Sequence, residues 1–290
     1  MNEAKERPPR NWGPDACRAA VSVTFDNLGE AADLQRGLWS EDEPLGHHFS
    51  VKRTLPRILG VLAELGLRST FFVEGLNAEL YPEALLEISD SGHELGYHGW
   101  RHEYWPNLSP SDEARALERG VRSMQEIGVR PSGFRPPGGR LTRSSPKLLE
   151  DFGFTHCSPA GLGVGLIDGL VVLPFEWRVI DAYHYLPRFG SLRETLTGLD
   201  DPLSPTHFRE TLVSALQGIV RNGGHLTLLF HPFLEDEEDR FRIMREALEE
   251  LRALANDRVV WCASHQDIAS WVRGHPEAFG DEFEPDPIEA

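Results

Sequence analysis

The chain has 290 residues, and its 29 Lys and Arg against 46 Asp and Glu give a formal net charge of −17. That excess repels polyanions, so neither nucleic acid nor an anionic membrane surface is expected as a partner. Hydrophobic residues make up 40% and charged residues 26%, a globular composition with a sizeable core, and the length admits one large α/β domain.

The N-terminal MNEAKERPPRNWG is charged and Pro-rich, without the apolar run of a secretory signal, and no stretch approaches the roughly 18 apolar residues of a membrane span. A cytoplasmic location is therefore expected. Residues 19–25 (AAVSVTF) form a β-branched apolar run ending in Asp26-Asn27, the pattern of a buried strand, and a loop is expected after it. Residues 51–65 repeat apolar positions at three and four up to Gly66, which predicts a helix, and 69–74 (STFFVE) reads as the next strand. Helix over 82–89, strand over 94–97 and helix over 109–127 follow, the last opening on a capping Ser109 and Pro110. Strands are expected at 133–135, 155–158, 170–173, 226–230 and 259–262, with helices at 144–152, 207–221, 238–255 and 264–272.

Residues 183–205 read as a loop-rich insertion. Its Tyr183, His184, Tyr185 and Phe189, with Trp100, Tyr104 and Trp105, either line a pocket or pack on a second subunit, so a homo-oligomer stays open. Strand and helix alternate without repeat or linker, predicting one domain, a parallel barrel or doubly wound sheet, over 19–273. An extension, 1–18, precedes it and an acidic tail, 274–290, follows. Cys17, Cys157 and Cys262 are widely spaced and odd in number, so buried free thiols are expected rather than disulfides or a structural zinc site.

Chemistry in such folds sits at the carboxyl ends of the strands. There the sequence places Asp26-Asn27, His98 to His102, Arg135 before two prolines and two glycines, and His231-Pro232. His98 and His102, four apart, would share one face of a helical turn and can hold one divalent ion, with Glu103 able to orient a ring. Asp26 suits a general base, His231 a general acid and Arg135 a pre-set guanidinium. Plain structural roles are open to each: a turn cap, a buried histidine and a surface ion pair.

The motifs Thr24-Phe25-Asp26-Asn27, Thr70-Phe71-Phe72-Val73, His98-Gly99-Trp100-Arg101-His102, Arg135-Pro136-Pro137-Gly138 and Leu229-Phe230-His231-Pro232 resemble, in order, those of the polysaccharide deacetylases, the NodB-homology group of carbohydrate esterases. The stretch His98-Gly99-Trp100-Arg101-His102-Glu103 together with Gly133-Phe134-Arg135-Pro136-Pro137-Gly138 is similar to the branch, often cytoplasmic, of peptidoglycan-deacetylase-like proteins and metal-independent allantoinases. The resemblance spans residues 20–271. It implies a distorted (β/α) barrel of about seven parallel strands, with Asp26 as base, Arg135 holding it, His231 as acid and Asp181 as a late acidic position near the site. It also implies His98 and His102 as ligands of zinc or a similar divalent ion, and hydrolysis of an N-acetyl amide. Without an export signal an extracellular polymer is a poor substrate, so a small soluble N-acetylated compound or amide is expected.

One position departs from the family. Its third metal ligand is an acid, where this chain has Asn27, a weaker ligand, followed by Leu28. Ligation through the Asn27 carbonyl, replacement by Glu30 or Glu103, and operation without metal all stay open, the retained histidine pair favouring a bound but weaker metal. The alternatives in function are a metal-independent cyclic-amide hydrolase of the allantoinase kind and a barrel that binds a sugar or amide without turning it over.

Overall fold

A computed structural model of the protein describes residues 11–40, 42–280 and 282–287. The first ten residues of the expected extension and parts of the expected tail, 281 and 288–290, lie outside the described residues.

The strands are β1 (Ala19–Asp26), β2 (Thr70–Val73), β3 (Glu94–Tyr97), β4 (Gly133–Phe134), β5 (His156–Cys157), β6 (Gly161–Leu162), β7 (Gly165–Ile167), β8 (Leu170–Val172), β9 (Gly224–Phe230), β10 (Val260–Cys262) and β11 (Glu284–Pro285). All eight residues of β1 are buried, as its near-continuous apolar run requires of a strand covered on both faces. It pairs in parallel with β9 from Ala19↔Gly224 to Phe25↔Phe230. Its other edge is shared by β10, at Ala19 to Val21, and by β2, at Thr24 to Asp26. From β2 the sheet continues through β3, β4, β5 and β8 in parallel, and only β7 joins it antiparallel. Beyond β8, Ile180 bridges Leu229 of β9 in parallel, which brings the sheet back toward its start. The result is a curled, mostly parallel α/β sheet of the distorted-barrel kind, and all the parallel strands deliver their carboxyl ends to one rim.

Three helices open on a serine whose side chain accepts an early backbone N–H: Ser109 from Asp112, Ser204 from His207 and Ser264 from Asp267. Three segments differ from expectation. The loop after β1 contains a helix, Ala31–Arg36, too short to show a period and ended by Gly37 in the left-handed region. The helix expected from 51 begins as a π turn, Ser50–Thr54, before the regular helix Leu55–Leu65, because Pro56 has no N–H to extend the ladder. The insertion 183–205 is largely helical, with Asp181–Tyr185, Pro187–Phe189 and Gly190–Thr197, and its Tyr183, His184 and Tyr185 are buried.

Both flanks pack onto the domain where they are described. Trp12 is fully buried with its ring 4.8 Å from Phe279, and β11 pairs with β6. The three cysteines are free, with Cys17 and Cys157 buried and Cys262 partly so. Among the described residues no helix is long and apolar enough to cross a membrane.

Candidate active site

Asp26 ends β1 and Arg135 follows β4. Both are buried, 4% and 1% exposed, and their contact is Nη1 to Oδ1 at 2.7 Å. The same Nη1 donates to Thr24 Oγ1, while Nε and Nη2 donate to Ser158 Oγ, and the guanidinium carbon lies 4.2 Å above the Phe72 ring. Two strand-end oxygens and an aromatic face thus fix the cation that fixes Asp26. Burial lowers the Arg135 pKa, while Asp26 opposes the shift.

His98 follows β3. Its Nδ1 donates to the Arg135 carbonyl at 2.8 Å, so Nε2 carries the lone pair, 3.8 Å from the second oxygen of Asp26. Burial pushes its pKa down to about 4 despite Asp26, and the ring is neutral at physiological pH. His102 comes within 4.9 Å of it, ring to ring. The segment between them is not the helical turn expected from the spacing: Gly99 and His102 both take left-handed φ, 78° and 70°. Glu103 holds this irregular loop by accepting the backbone N–H groups of Trp100 and Arg101, which occupies both of its oxygens. Glu30 is likewise engaged, with Gly46 N–H and the Tyr81 hydroxyl.

His231, after β9, is set by Asp181 at the start of the helix Asp181–Tyr185. Asp181 is fully buried and accepts the His231 ring Nδ1 and backbone N–H, each at 2.6 Å. That bond places the free Nε2 as the ring's outward nitrogen. Beside Asp181 lies Glu235, whose pKa is raised well above the usual range by burial and then by the Asp181 charge.

The donor set does not fit a divalent cation. The Asn27 amide Nδ2 donates to Glu74 Oε1 at 2.8 Å, leaving only the neutral Oδ1 where a carboxylate would bind a cation more strongly, with Asn27 itself in the left-handed region at φ 59°. His102 Nδ1 accepts from Arg36 Nη2 at 3.3 Å, so a permanent cation already holds one imidazole lone pair and the neutral ring carries its proton on Nε2. Asp26 gives Oδ1 to Arg135, Glu30 accepts the Gly46 N–H and the Tyr81 hydroxyl, Glu103 accepts two backbone N–H groups, and no group of three His, Cys, Asp or Glu suited to a metal occurs among the described residues. Two imidazoles and an amide next to a guanidinium are a poor site for zinc, which takes carboxylate, thiolate and neutral imidazole ligands. The expected ligation by His98, His102 and Asn27 draws no support from this geometry.

These groups line one cavity of about 480 Å³, walled by Tyr104, Phe175, Trp177 and Phe189. Of the expected lining aromatics, Tyr104 and Phe189 are there, whereas Trp105 is in the core and Trp100 lies under Arg119, 3.8 Å from its guanidinium carbon. Gly139 is needed at the wall: its φ is +77° and a Cβ there would sit 2.8 Å from Trp177 Cζ2. Sequence reasoning missed Glu74, Arg36 and Arg188. Glu74, just past β2, is fully buried, and burial followed by the nearby Asp26 charge pushes its pKa up to about 8. Its position at a strand end was the available signal; Arg36 and Arg188 carry none.

A model of the polysaccharide deacetylase family matches residues 15–157. Chitin deacetylase 1 of Saccharomyces cerevisiae is 35% identical over 101 residues, which are 34% of this chain and 34% of the yeast protein. The chain thus spans about a third of the length of the curated relatives it matches. An allantoinase structure shares the fold at a TM-score of 0.73 over 93% of this chain and 95% of its own, with 18% identity. A Mycobacterium smegmatis structure assigned to the polysaccharide deacetylases aligns at a TM-score of 0.77 and 30% identity over 98% of this chain and 99% of its own. With that likeness running from end to end, the chain belongs to the polysaccharide deacetylase family.

Proposed function

We propose that the protein hydrolyses a linear C–N amide bond, removing the acetyl group of a small N-acetylated compound. The carrying observation is the placement of a carboxylate held by Arg135 and an imidazole held by Asp181 around one cavity. Asp26 Oδ2 and the neutral His98 Nε2 are two acceptors 3.8 Å apart. A water donating to both turns its oxygen lone pair toward the cavity. As that oxygen attacks the amide carbonyl, Asp26 takes one proton. The negative charge on the former carbonyl oxygen is met by an N–H donor, for which His102 Nε2 is suited because Arg36 occupies its Nδ1. The C–N bond breaks as His231, acting as the acid, gives its Nε2 proton to the departing amine, while Asp181 on Nδ1 holds the ring in place. The second proton of the water passes to the amine, acetate and the ammonium leave, and the proton on Asp26 restores His231.

No step passes through a metal. That same donor set favours a second reading, metal-independent opening of a cyclic amide, which needs the same base and acid. A binding-only role would leave both without a task. The test is acetate release from an acetamide panel, with a hydantoin beside it, before and after exhaustive chelation. Asp26→Asn and His231→Ala are expected to abolish turnover while ligand still binds; unchanged activity in both variants refutes the assignment of base and acid.

A further inference from the structure

Two cations lining the cavity have no task in this hydrolysis scheme beyond the contact of Arg36 with His102. Arg36 closes the short helix Ala31–Arg36, and Arg188 lies in the turn Pro187–Phe189, so two segments remote in sequence bring arginines to one cavity. Among the described residues Arg36 has the single hydrogen bond to His102, and Arg188 has no hydrogen bond or ion pair, only its stacking beside Phe189. Arg36 is close enough to Arg188 to depress it. Arg188 is lowered to about 10, by desolvation first and then by Arg36. The carboxylates that counter them are engaged or set back: Asp33 faces His48, Asp181 holds His231, and Glu74 accepts from Asn27 and Asn77. Cations kept together without an anion between them cost free energy, and other arginines of this acidic chain are paired, as Arg53 is with Asp236 and Arg209 with Glu246.

We propose that Arg36 and Arg188 form an oxyanion seat, so that the substrate is an amide carrying a carboxylate or phosphate a few atoms from the bond that breaks. This rests on the amide-hydrolase reading and names its substrate class. The seat lies on the same cavity as His102, so an anion bridging both arginines fixes the amide against Asp26 and His231, while Trp177 and Phe189 cover the apolar part.

The test uses the full chain and probes that share an acetamide: neutral N-acetylglucosamine, N-acetylglucosamine 6-phosphate and N-acetylmuramic acid, with inorganic phosphate as a minimal anion. Calorimetric titration is expected to show the anionic compounds binding roughly tenfold or more tighter than the neutral one, the advantage shrinking as salt is raised. The arm that carries the advantage tells carboxylate from phosphate. Arg36→Gln and Arg188→Gln each reduce the anionic-to-neutral ratio by roughly tenfold, and Arg36→Lys and Arg188→Lys, which keep the charge, recover part of it. Equal affinity across the probes, no binding of any anion at millimolar concentration, or a ratio indifferent to both substitutions overturns the seat. Acetate release on the same compounds separates the two readings. A preference without release upholds the seat and removes the deacetylation reading, whereas release without preference removes the seat alone.

Discussion

Replacing Arg135 by Met removes the cation from a pair whose members are 4% and 1% exposed, keeps most of the side-chain volume, and leaves Asp26 as a buried charge. Four hydrogen bonds go with it, one to Asp26, one to Thr24 and two to Ser158. Breaking a buried pair from one side costs about 3–5 kcal/mol, mostly because the remaining ion keeps its desolvation penalty without its partner. A chain of this length unfolds with an entropy of about 0.6 kcal/mol per degree, so the expected fall in Tm is about 5–8 °C. Asp26→Asn introduced into the Arg135→Met protein removes the stranded charge and is expected to restore at least half of the lost stability, while turnover stays absent. Thermal unfolding of the four proteins at one pH reads the cycle directly. If the double variant is no more stable than Arg135→Met, lost packing and not an uncompensated carboxylate sets the cost, and the account of Arg135 as the holder of Asp26 fails.

Asp181→Asn keeps the shape but puts an amide where the imidazole Nδ1–H needs an acceptor, and kcat is expected to fall on the order of 10²–10⁴ with KM little changed; a KM effect alone would assign Asp181 to binding. Glu74 has its folded pKa raised from 4.5 to about 8, so between those values the folded state binds the extra proton and stability falls as pH rises. Glu74→Gln is expected to flatten that fall, and urea midpoints with the same slope in both proteins contradict it. Gly139→Ala places a Cβ against Trp177 at positive φ, which is expected to cost about 1–3 kcal/mol and to weaken substrate binding; an unchanged Tm and Kd count against the wall assignment. Exhaustive chelation is expected to leave turnover in place, and one firmly held zinc per chain whose removal abolishes turnover would show that the metal fits after all.

Asp26, His98, Arg135 and His231 were legible because each follows a strand that its own apolar run predicts, and parallel strands carry their ends to one rim. The pairing of Asp181 with His231 was not, since 50 residues separate them and the insertion folds into helices whose position depends on packing against the helix Pro205–Asn222. The helical spacing of His98 and His102 misled about local structure while pairing the right residues: two left-handed positions bring the rings together by a route that period counting cannot see. Glu74 obeys the strand-end rule as fully as Asp26 does, but it lies in no cluster of histidine or arginine in sequence, so nothing singles it out until burial does. Arg36 was hidden by a helix of six residues, below the length at which amphipathic period is readable.

The departure at position 27 and the arginines of the rim are connected. A carboxylate at 27 would sit within reach of Glu74, already protonated by burial and the Asp26 charge, and a second nearby negative charge would raise that penalty unless a divalent cation compensated it. Asn27 removes the charge and converts the contact with Glu74 into an ordinary donated hydrogen bond. With no acid at 27 there is less to attract a metal, and the imidazole lone pair of His102 is left for Arg36, whose charge would otherwise be repelled by the ion. A neutral residue at 27 and a guanidinium on His102 are thus mutually consistent, and either substitution alone leaves a mismatch. Asn27→Asp by itself is expected to destabilise the protein, and combined with Arg36→Ala to create a zinc affinity that neither single variant shows. Equal zinc binding by the single and double variants would mean that the two positions act independently.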